Sequence, residues 1–261
     1  MDDILVKICD ARAVQLALEK ARTPLVEMRR LAEAAPARPG FIAALEKPGL
    51  SCICEVKKAS PSKGLIRADF RPVELAAEYE AAGADCISCL TEEHYFQGSS
   101  DYLRQIAENI NIPILRKDFV IDEYMIYEAK AIGASAVLLI AAVLNDAHLR
   151  DFFDLAHSLG IDCLVEVHTP EEVERAQKLQ PRLLGVNNRD LRTFEVDLHH
   201  TAELASMREP GQLFVSESGI QTNADMRTVQ ANGADAVLIG ETLMRSDNIA
   251  RTLTALREGT R

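Results

Sequence analysis

Lysine and glutamate recur in this sequence at the ends of short apolar runs, where a folded chain has little use for charge. Ser51-Cys52-Ile53-Cys54 is followed by Glu55-Val56-Lys57, Leu115-Arg116 by Lys117, and Leu164-Val165 by Glu166. Two more runs end in Gly185-Val186-Asn187-Asn188-Arg189 and Val215-Ser216-Glu217-Ser218-Gly219. Residues two apart in a strand share a face. Glu55 and Lys57 therefore point the same way, as do Leu115, Lys117 and Phe119, and Leu164 and Glu166. Groups of this kind turned inward are positioned proton donors and acceptors, the means of acid–base chemistry. A structural ion pair is the plainer reading of any one of them. It does not cover five such endings, because apolar side chains would fill those places at a smaller desolvation cost.

The elements that hold these groups follow from a repeat. Ala82-Gly83-Ala84-Asp85, Ile132-Gly133-Ala134-Ser135 and Asn232-Gly233-Ala234-Asp235 each pass from a helical pattern through glycine into a β-type run. Glycine just past a helix is the usual stop. The spacings of 50 and 100 residues fit a strand–helix unit of roughly 25 residues. Strands are predicted at 52–57, 85–90, 113–117, 136–140, 162–167, 183–187, 213–217 and 235–239. Helical patterns lie between them, among them Pro72 to Ala82, Glu123 to Ile132, Asp146 to Leu159 and Thr222 to Ala231. Thr169 before Pro170 reads as a helix cap with proline in the first turn; Asn223 and Asp225 load another helix start, and His199-His200 opens a third. Eight units in one domain predict a single (β/α)8 TIM barrel over 51–261, whose active sites lie at the C-terminal ends of the strands. A doubly wound open sheet would want a G-x-G-x-x-G turn, and the sequence has none. Residues 1–50 read as an N-terminal helical extension, with Leu16, Ala17, Leu25, Met28 and Leu31 in loose helical period broken by Pro24. It either covers apolar surface or helps to close the substrate site.

Two loops suggest an anion. Ser218-Gly219-Ile220 follows the seventh strand and Gly240-Glu241 the eighth. Barrels commonly bind phosphate there, with a short extra helix, for which Glu241-Thr242-Leu243-Met244 is the candidate. The loop Lys58-Ala59-Ser60-Pro61-Ser62-Lys63-Gly64 reads as a mobile lid or as a plain solvated loop.

Bulk properties narrow the classes. The net charge of −11 disfavours nucleic acid as a partner. The longest apolar stretch, Ala136 to Leu144, is too short to span a bilayer. Met1-Asp2-Asp3-Ile4 lacks the basic start of a signal peptide. Six cysteines are expected as buried, reduced thiols in a reducing cytoplasm; Cys86 and Cys89, three apart in a strand, point to opposite faces. The histidines form no metal-ligand spacing, and no metal is expected.

As a set and in order, these motifs resemble the indole-3-glycerol phosphate synthase family. The resemblance is carried by Glu55-Val56-Lys57-Lys58-Ala59-Ser60-Pro61-Ser62-Lys63-Gly64, Leu90-Thr91-Glu92 through Phe96-Gln97-Gly98-Ser99, and Leu115-Arg116-Lys117-Asp118-Phe119. It continues through Leu164-Val165-Glu166-Val167, Gly185-Val186-Asn187-Asn188-Arg189-Asp190-Leu191, Ser216-Glu217-Ser218-Gly219-Ile220 and Leu238-Ile239-Gly240-Glu241. It implies a βα barrel that closes, decarboxylates and dehydrates a phosphorylated, anthranilate-derived ribulose in tryptophan biosynthesis, without cofactor or metal. By the same resemblance Lys117 is the general acid at the substrate carbonyl and Glu166 the base of the dehydration. Lys57, held by Glu55, binds the carboxylate or assists dehydration; which lysine serves which step stays open. Asn187, Ser60, Arg189, Glu217 and Ser218 would contact substrate, Phe96 and Phe119 would hold its aromatic ring, and Leu191 and Leu238 would line the pocket. Gly219, Gly240 and Glu241 would carry the phosphate through backbone N–H groups, with the Glu241 carboxylate turned away. The alternatives are another phosphate-binding barrel, such as a phosphoribosyl isomerase, and a non-catalytic barrel subunit. The expected state is a monomer or weak oligomer, and association with other tryptophan-pathway enzymes stays open.

Overall fold

The eight predicted strands form in the computed structural model, which describes residues 3–190 and 193–260. They are β1 (Ser51–Val56), β2 (Cys86–Leu90), β3 (Ile114–Lys117), β4 (Ala136–Ile140), β5 (Asp162–Val167), β6 (Leu183–Asn187), β7 (Leu213–Glu217) and β8 (Ala236–Ile239). Each pairs in parallel with its sequence neighbours, and β8 pairs with β1, closing a (β/α)8 barrel. The helices are α1 (Asp3–Arg22), α2 (Leu25–Ala34), α3 (Phe41–Leu45), α4 (Pro72–Ala81), α5 (Ser100–Asn109), α6 (Glu123–Ala131), α7 (Asp146–Ser158), α8 (Pro170–Gln177), α9 (His199–Ala205), α10 (Asn223–Ala231), α11 (Glu241–Met244) and α12 (Ile249–Leu256). The three repeat glycines, Gly83, Gly133 and Gly233, take φ of 89°, 92° and 95°, the left-handed conformation that turns each helix into the next strand. Thr169 caps α8, its hydroxyl accepting from Glu172 N–H at 3.2 Å.

Strand alternation separates two cores. Ile53, Cys86, Leu115, Leu164, Leu183 and Val215 point into the barrel. Cys54, Val56, Ile87, Cys89, Val137 and Val165 point outward beneath the helices. Cys86 and Cys89 thus fall in different cores. Five of the six cysteines are buried, Cys9 is half-buried, and none is in a disulfide.

The N-terminal segment differs from the expectation in two ways. Helix α3 was not anticipated: its Phe41, Ile42 and Leu45 enter the inner core at the N-terminal ends of the strands. Asp162, at the start of β5, accepts from Phe41 and Ile42 N–H at 2.9 and 3.0 Å and anchors that helix. Each of these side chains contributes about 1.5–3 kcal/mol by burial. The buried stripe of α1 runs through Leu5, Ile8, Arg12 and Leu16. Ala17 and Leu31, assigned above to the apolar face, are exposed instead. Further along, α2 lies against α6 with Arg29 bonded to Glu123 at 3.1 Å, and Lys20 of α1 reaches Asp122 at 2.7 Å.

Candidate active site

Register decides which strand ends meet. Leu90 is level with Lys117, Ile140 with Glu166, and Asn187 with Glu217, so the polar ends form one rim. There a cavity of about 580 Å³ opens, lined by Glu55, Lys57, Lys117, Glu166, Asn187 and Glu217. Ser60, Phe96, Phe119, Arg189, Ser218 and Leu238 also line it, as do Gly219, Gly240 and Glu241. Leu191, the remaining expected pocket residue, lies outside the described residues. Ile4, Leu5 and Ile8 of α1 form part of the wall, so the extension helps to close the site as well as covering apolar surface.

Two ion-pair groups occupy the floor. Lys57 Nζ is 2.5 Å from Glu55 Oε2. Lys117 Nζ lies between two carboxylates, 3.1 Å from Glu166 Oε2 and 3.1 Å from Glu217 Oε2. Glycine makes the room for both. A Cβ on Gly185 would run into the Glu217 carboxylate, and one on Gly240 into Glu55 and to within 3.0 Å of Lys57 Nζ. Glu217 was expected as a substrate contact; its place 3.1 Å from Lys117 makes it part of the acid–base group as well.

Proton affinities follow from burial and neighbours. For Lys117 burial opposes the charge, but Glu166, Glu217 and Glu55 outweigh it and raise its pKa. Lys57 is not among the leading influences on it. Burial would raise Glu166, yet Lys117 and then His168 hold it below the usual carboxylate range. Glu217 is pushed up to about 7 by burial, with Glu166 and Glu55 repelling and Lys117 only partly compensating. Lys117, Glu166 and Glu217 thus supply one charged ammonium, one firm carboxylate and one carboxyl group that titrates near neutrality.

Asn187 Oδ1 accepts from Ser218 Oγ at 2.9 Å and from Arg189 N–H at 3.1 Å. The Arg189 guanidinium donates to Phe194 O at 3.1 Å. Phe96 and Phe119 lie side by side on the cavity wall, ring centroids 6.0 Å apart and tilted by 37°. The loops after β7 and β8 are joined by Thr242 Oγ1 donating to Ile220 O at 2.5 Å, and the short helix α11 follows Gly240 as expected. The Glu241 carboxylate pairs with Arg245 Nε at 3.1 Å and approaches Lys63 Nζ at 3.8 Å. The segment read as a lid is a short antiparallel ribbon, Ala59–Ser60 with Gly64–Leu65.

Several contributors escaped the sequence reading. Arg12 reaches from α1 to Asp118, the residue after Lys117, at 3.3 Å. Asp118 also accepts from Thr91 Oγ1 at 2.6 Å and pairs with Arg116 at 3.3 Å, and Arg116 pairs with Glu128 at 2.6 Å. Burial would raise the Asp118 pKa, but Arg12 and Arg116 hold it low. This buried network fixes the backbone on both sides of Lys117. Asn188 similarly ties β6 to β7, donating to Ser216 Oγ and to the carbonyls of Glu217 and Ser218. His168 stands behind Glu166, Nε2 3.3 Å from Oε1; its position two residues past Glu166 was the available signal.

A closed parallel barrel carrying a buried lysine–glutamate cluster at its C-terminal rim defines an acid–base enzyme of the TIM-barrel class. Solved structures agree on the fold: 3-hexulose-6-phosphate synthase superposes with a TM-score of 0.63 over 81% of this chain and 100% of that one, at 15% identity. Thiamine phosphate pyrophosphorylase from Pyrococcus furiosus gives 0.60 over 80% and 94%, also at 15%. Sequence comparison is more specific. The family model described as indole-3-glycerol phosphate synthase matches residues 5–256. Synthases so named are 52% identical in Neisseria meningitidis serogroup C, over 95% of this chain and 97% of the relative, and 53% identical in Endomicrobium trichonymphae, over 84% of each. The one in Rhizorhabdus wittichii is 45% identical over 99% of this chain and all of the relative. The chain belongs to the indole-3-glycerol phosphate synthase family.

Proposed function

We infer that the chain converts 1-(2-carboxyphenylamino)-1-deoxy-D-ribulose 5-phosphate into indole-3-glycerol phosphate, carbon dioxide and water, the carboxy-lyase step of tryptophan biosynthesis. The observation that carries the chemistry is Lys117 held between Glu166 and Glu217 at 3.1 Å each. In ring closure the aromatic carbon bearing the carboxylate bonds to the ribulose carbonyl carbon, and Lys117 protonates the carbonyl oxygen. The ring–carboxylate bond then breaks, carbon dioxide leaves, and its electron pair restores the aromatic ring. Loss of water needs a proton on the departing hydroxyl and a base for the adjacent CH₂. Glu166, a carboxylate through the pH range of growth, is suited to the second role. Lys57 and Glu55 can pair with the substrate carboxylate or serve the hydroxyl, and the cavity admits either. Each positioned acid or base contributes about 10²–10⁴-fold.

Phe96 and Phe119 offer an aromatic wall for the anthranilate ring. Backbone N–H groups near Gly219, Gly240 and Glu241 take the phosphate, with Glu241 occupied by Arg245 and Lys63. Asn187, Ser218, Arg189 and Ser60 hold the ribulose chain, and Leu238 closes the apolar side. The filled polar rim speaks against a non-catalytic subunit. Two lysines with Glu166 and Glu217 give more cationic acid chemistry than a phosphoribosyl isomerase would need. Cysteines outside disulfides suit a cytoplasmic enzyme, and we place it as a monomer or weak oligomer. Incubating the purified protein with the carboxyphenylamino substrate and following indole fluorescence tests the reading; folded protein that gives no product above background refutes it.

A further inference from the structure

His168 has no part in the reaction just described and does not line the cavity, yet it touches the proposed base. It follows β5 directly, two residues beyond Glu166. Its Nε2 lies 3.3 Å from Glu166 Oε1, and its Nδ1 lies 3.5 Å from Glu172 Oε2 on α8. Glu172 is itself placed: its Oε2 accepts from the His168 backbone N–H at 2.8 Å, and its own N–H donates to the Thr169 cap at 3.2 Å. The His168 carbonyl is engaged by His200 Nε2 at 2.8 Å. Both ring nitrogens are buried; Glu172 acts on the ring through a hydrogen-bond interaction as well as its charge, and Glu166 through its charge. The charged or titratable groups around the ring are Glu166 on β5, Glu172 on α8, Glu217 on β7 and His200 on α9, with Lys117 on the far side of Glu166.

We propose that His168 is a positioning residue for turnover: held from behind by Glu172, its imidazolium keeps the Glu166 carboxylate ionised and directed at Lys117. The geometry is a line of alternating charge, Glu172, His168, Glu166, Lys117, Glu217, running from the helix layer through the barrel wall into the cavity. Burial works against the imidazolium, but Glu172, Glu166 and Glu217 overcome it and raise the ring's pKa. The cation is therefore present below that raised value and is lost as pH rises through it. An opposite charge at this range lowers a carboxylate pKa by about 1–3 units. The inference rests on Glu166 as the reaction's base.

The test is a set of pH profiles of kcat for the wild type, His168→Asn, Glu172→Gln and the double variant. Without the imidazolium Glu166 takes up a proton more readily, so the acid limb moves to higher pH by about one unit or more. Well above the limb kcat falls by less than it does at the limb. Glu172→Gln, which leaves the ring in place, gives a smaller shift in the same direction. The double variant shifts no further than His168→Asn. If His168→Asn fails to fold, His168→Gln and the Glu172→Gln profile carry the test. NMR titration of the imidazole gives a reading independent of turnover: its pKa falls in Glu172→Gln and in Glu166→Gln. A uniform loss of kcat with an unmoved limb and an unmoved titration overturns the inference. An unmoved limb with a displaced titration sinks the assignment of Glu166 as the base, and the inference with it.

Discussion

Glu217→Gln should make the protein more stable at alkaline pH while impairing the enzyme. In the folded state this carboxyl group is buried beside Glu166 and Glu55, and its pKa rises from 4.5 to about 7. A raised folded value means that the stabilising contribution is complete below about 4.5 and is lost as pH rises through about 7. At about 1.4 kcal/mol per pH unit, that interval corresponds to about 3 kcal/mol. Glutamine cannot ionise and still offers Lys117 an acceptor, so the variant escapes the loss. Urea unfolding at pH 5, 6, 7 and 8 is the assay. The variant gains little at pH 5 and about 3 kcal/mol at pH 8, a rise of roughly 6–12 °C in Tm for a chain of this size. Over the same series kcat falls, because the group that strains the fold is one that the chemistry uses. A variant less stable than wild type at pH 8, or one with the same gain at pH 5 and pH 8, refutes the reasoning.

Lys117→Ala removes the proposed acid and lowers kcat by about 10²–10⁴-fold with an unchanged circular dichroism spectrum; near-normal turnover would remove Lys117 from its role. Asn187→Ala loses the hydrogen bonds to Ser218 Oγ and Arg189 N–H, so KM rises more than kcat falls in steady-state assays. Gly240→Ala forces a methyl group onto the Glu55–Lys57 pair; kcat drops while the urea midpoint changes by less than that of a core truncation. Phe41→Ala costs about 3–5 kcal/mol in urea unfolding, with kcat per folded molecule preserved, since α3 lies at the end of the barrel away from the cavity.

The barrel could be read from sequence because its evidence is local. Strand alternation in Glu55-Val56-Lys57 or Leu164-Val165-Glu166 fixes the side of each residue within three positions, and glycine stops recur after α4, α6 and α10. The site residues were visible for the same reason, as charges interrupting apolar runs. What stayed hidden depends on partners far away in the chain. Helix α3 is five residues with apolar side chains and no room to show a helical period. Arg12 reads as an ordinary surface charge until Asp118, 106 positions later, folds against it. The place of Glu217 beside Lys117 exists only once the register of the closed barrel is set, and no strand considered alone contains it.

The first 45 residues touch both ends of the barrel. Ile4, Leu5 and Ile8 reach the mouth, Arg38 bonds the Ala107 and Ile110 carbonyls on the flank, and Phe41 to Leu45 stop the opposite end. They are made before the strands, but the barrel ends that receive Ile4 to Ile8 and Phe41 to Leu45 are closed only when β8 joins β1, near residue 239. At about 5–20 residues per second, roughly 10–40 s of translation separate the two events. Through that interval Phe41, Ile42 and Leu45 have no finished seat, and they form an adhesive stretch on a nascent chain. The segment that completes the catalytic chamber is thus made before the strands whose ends it seals.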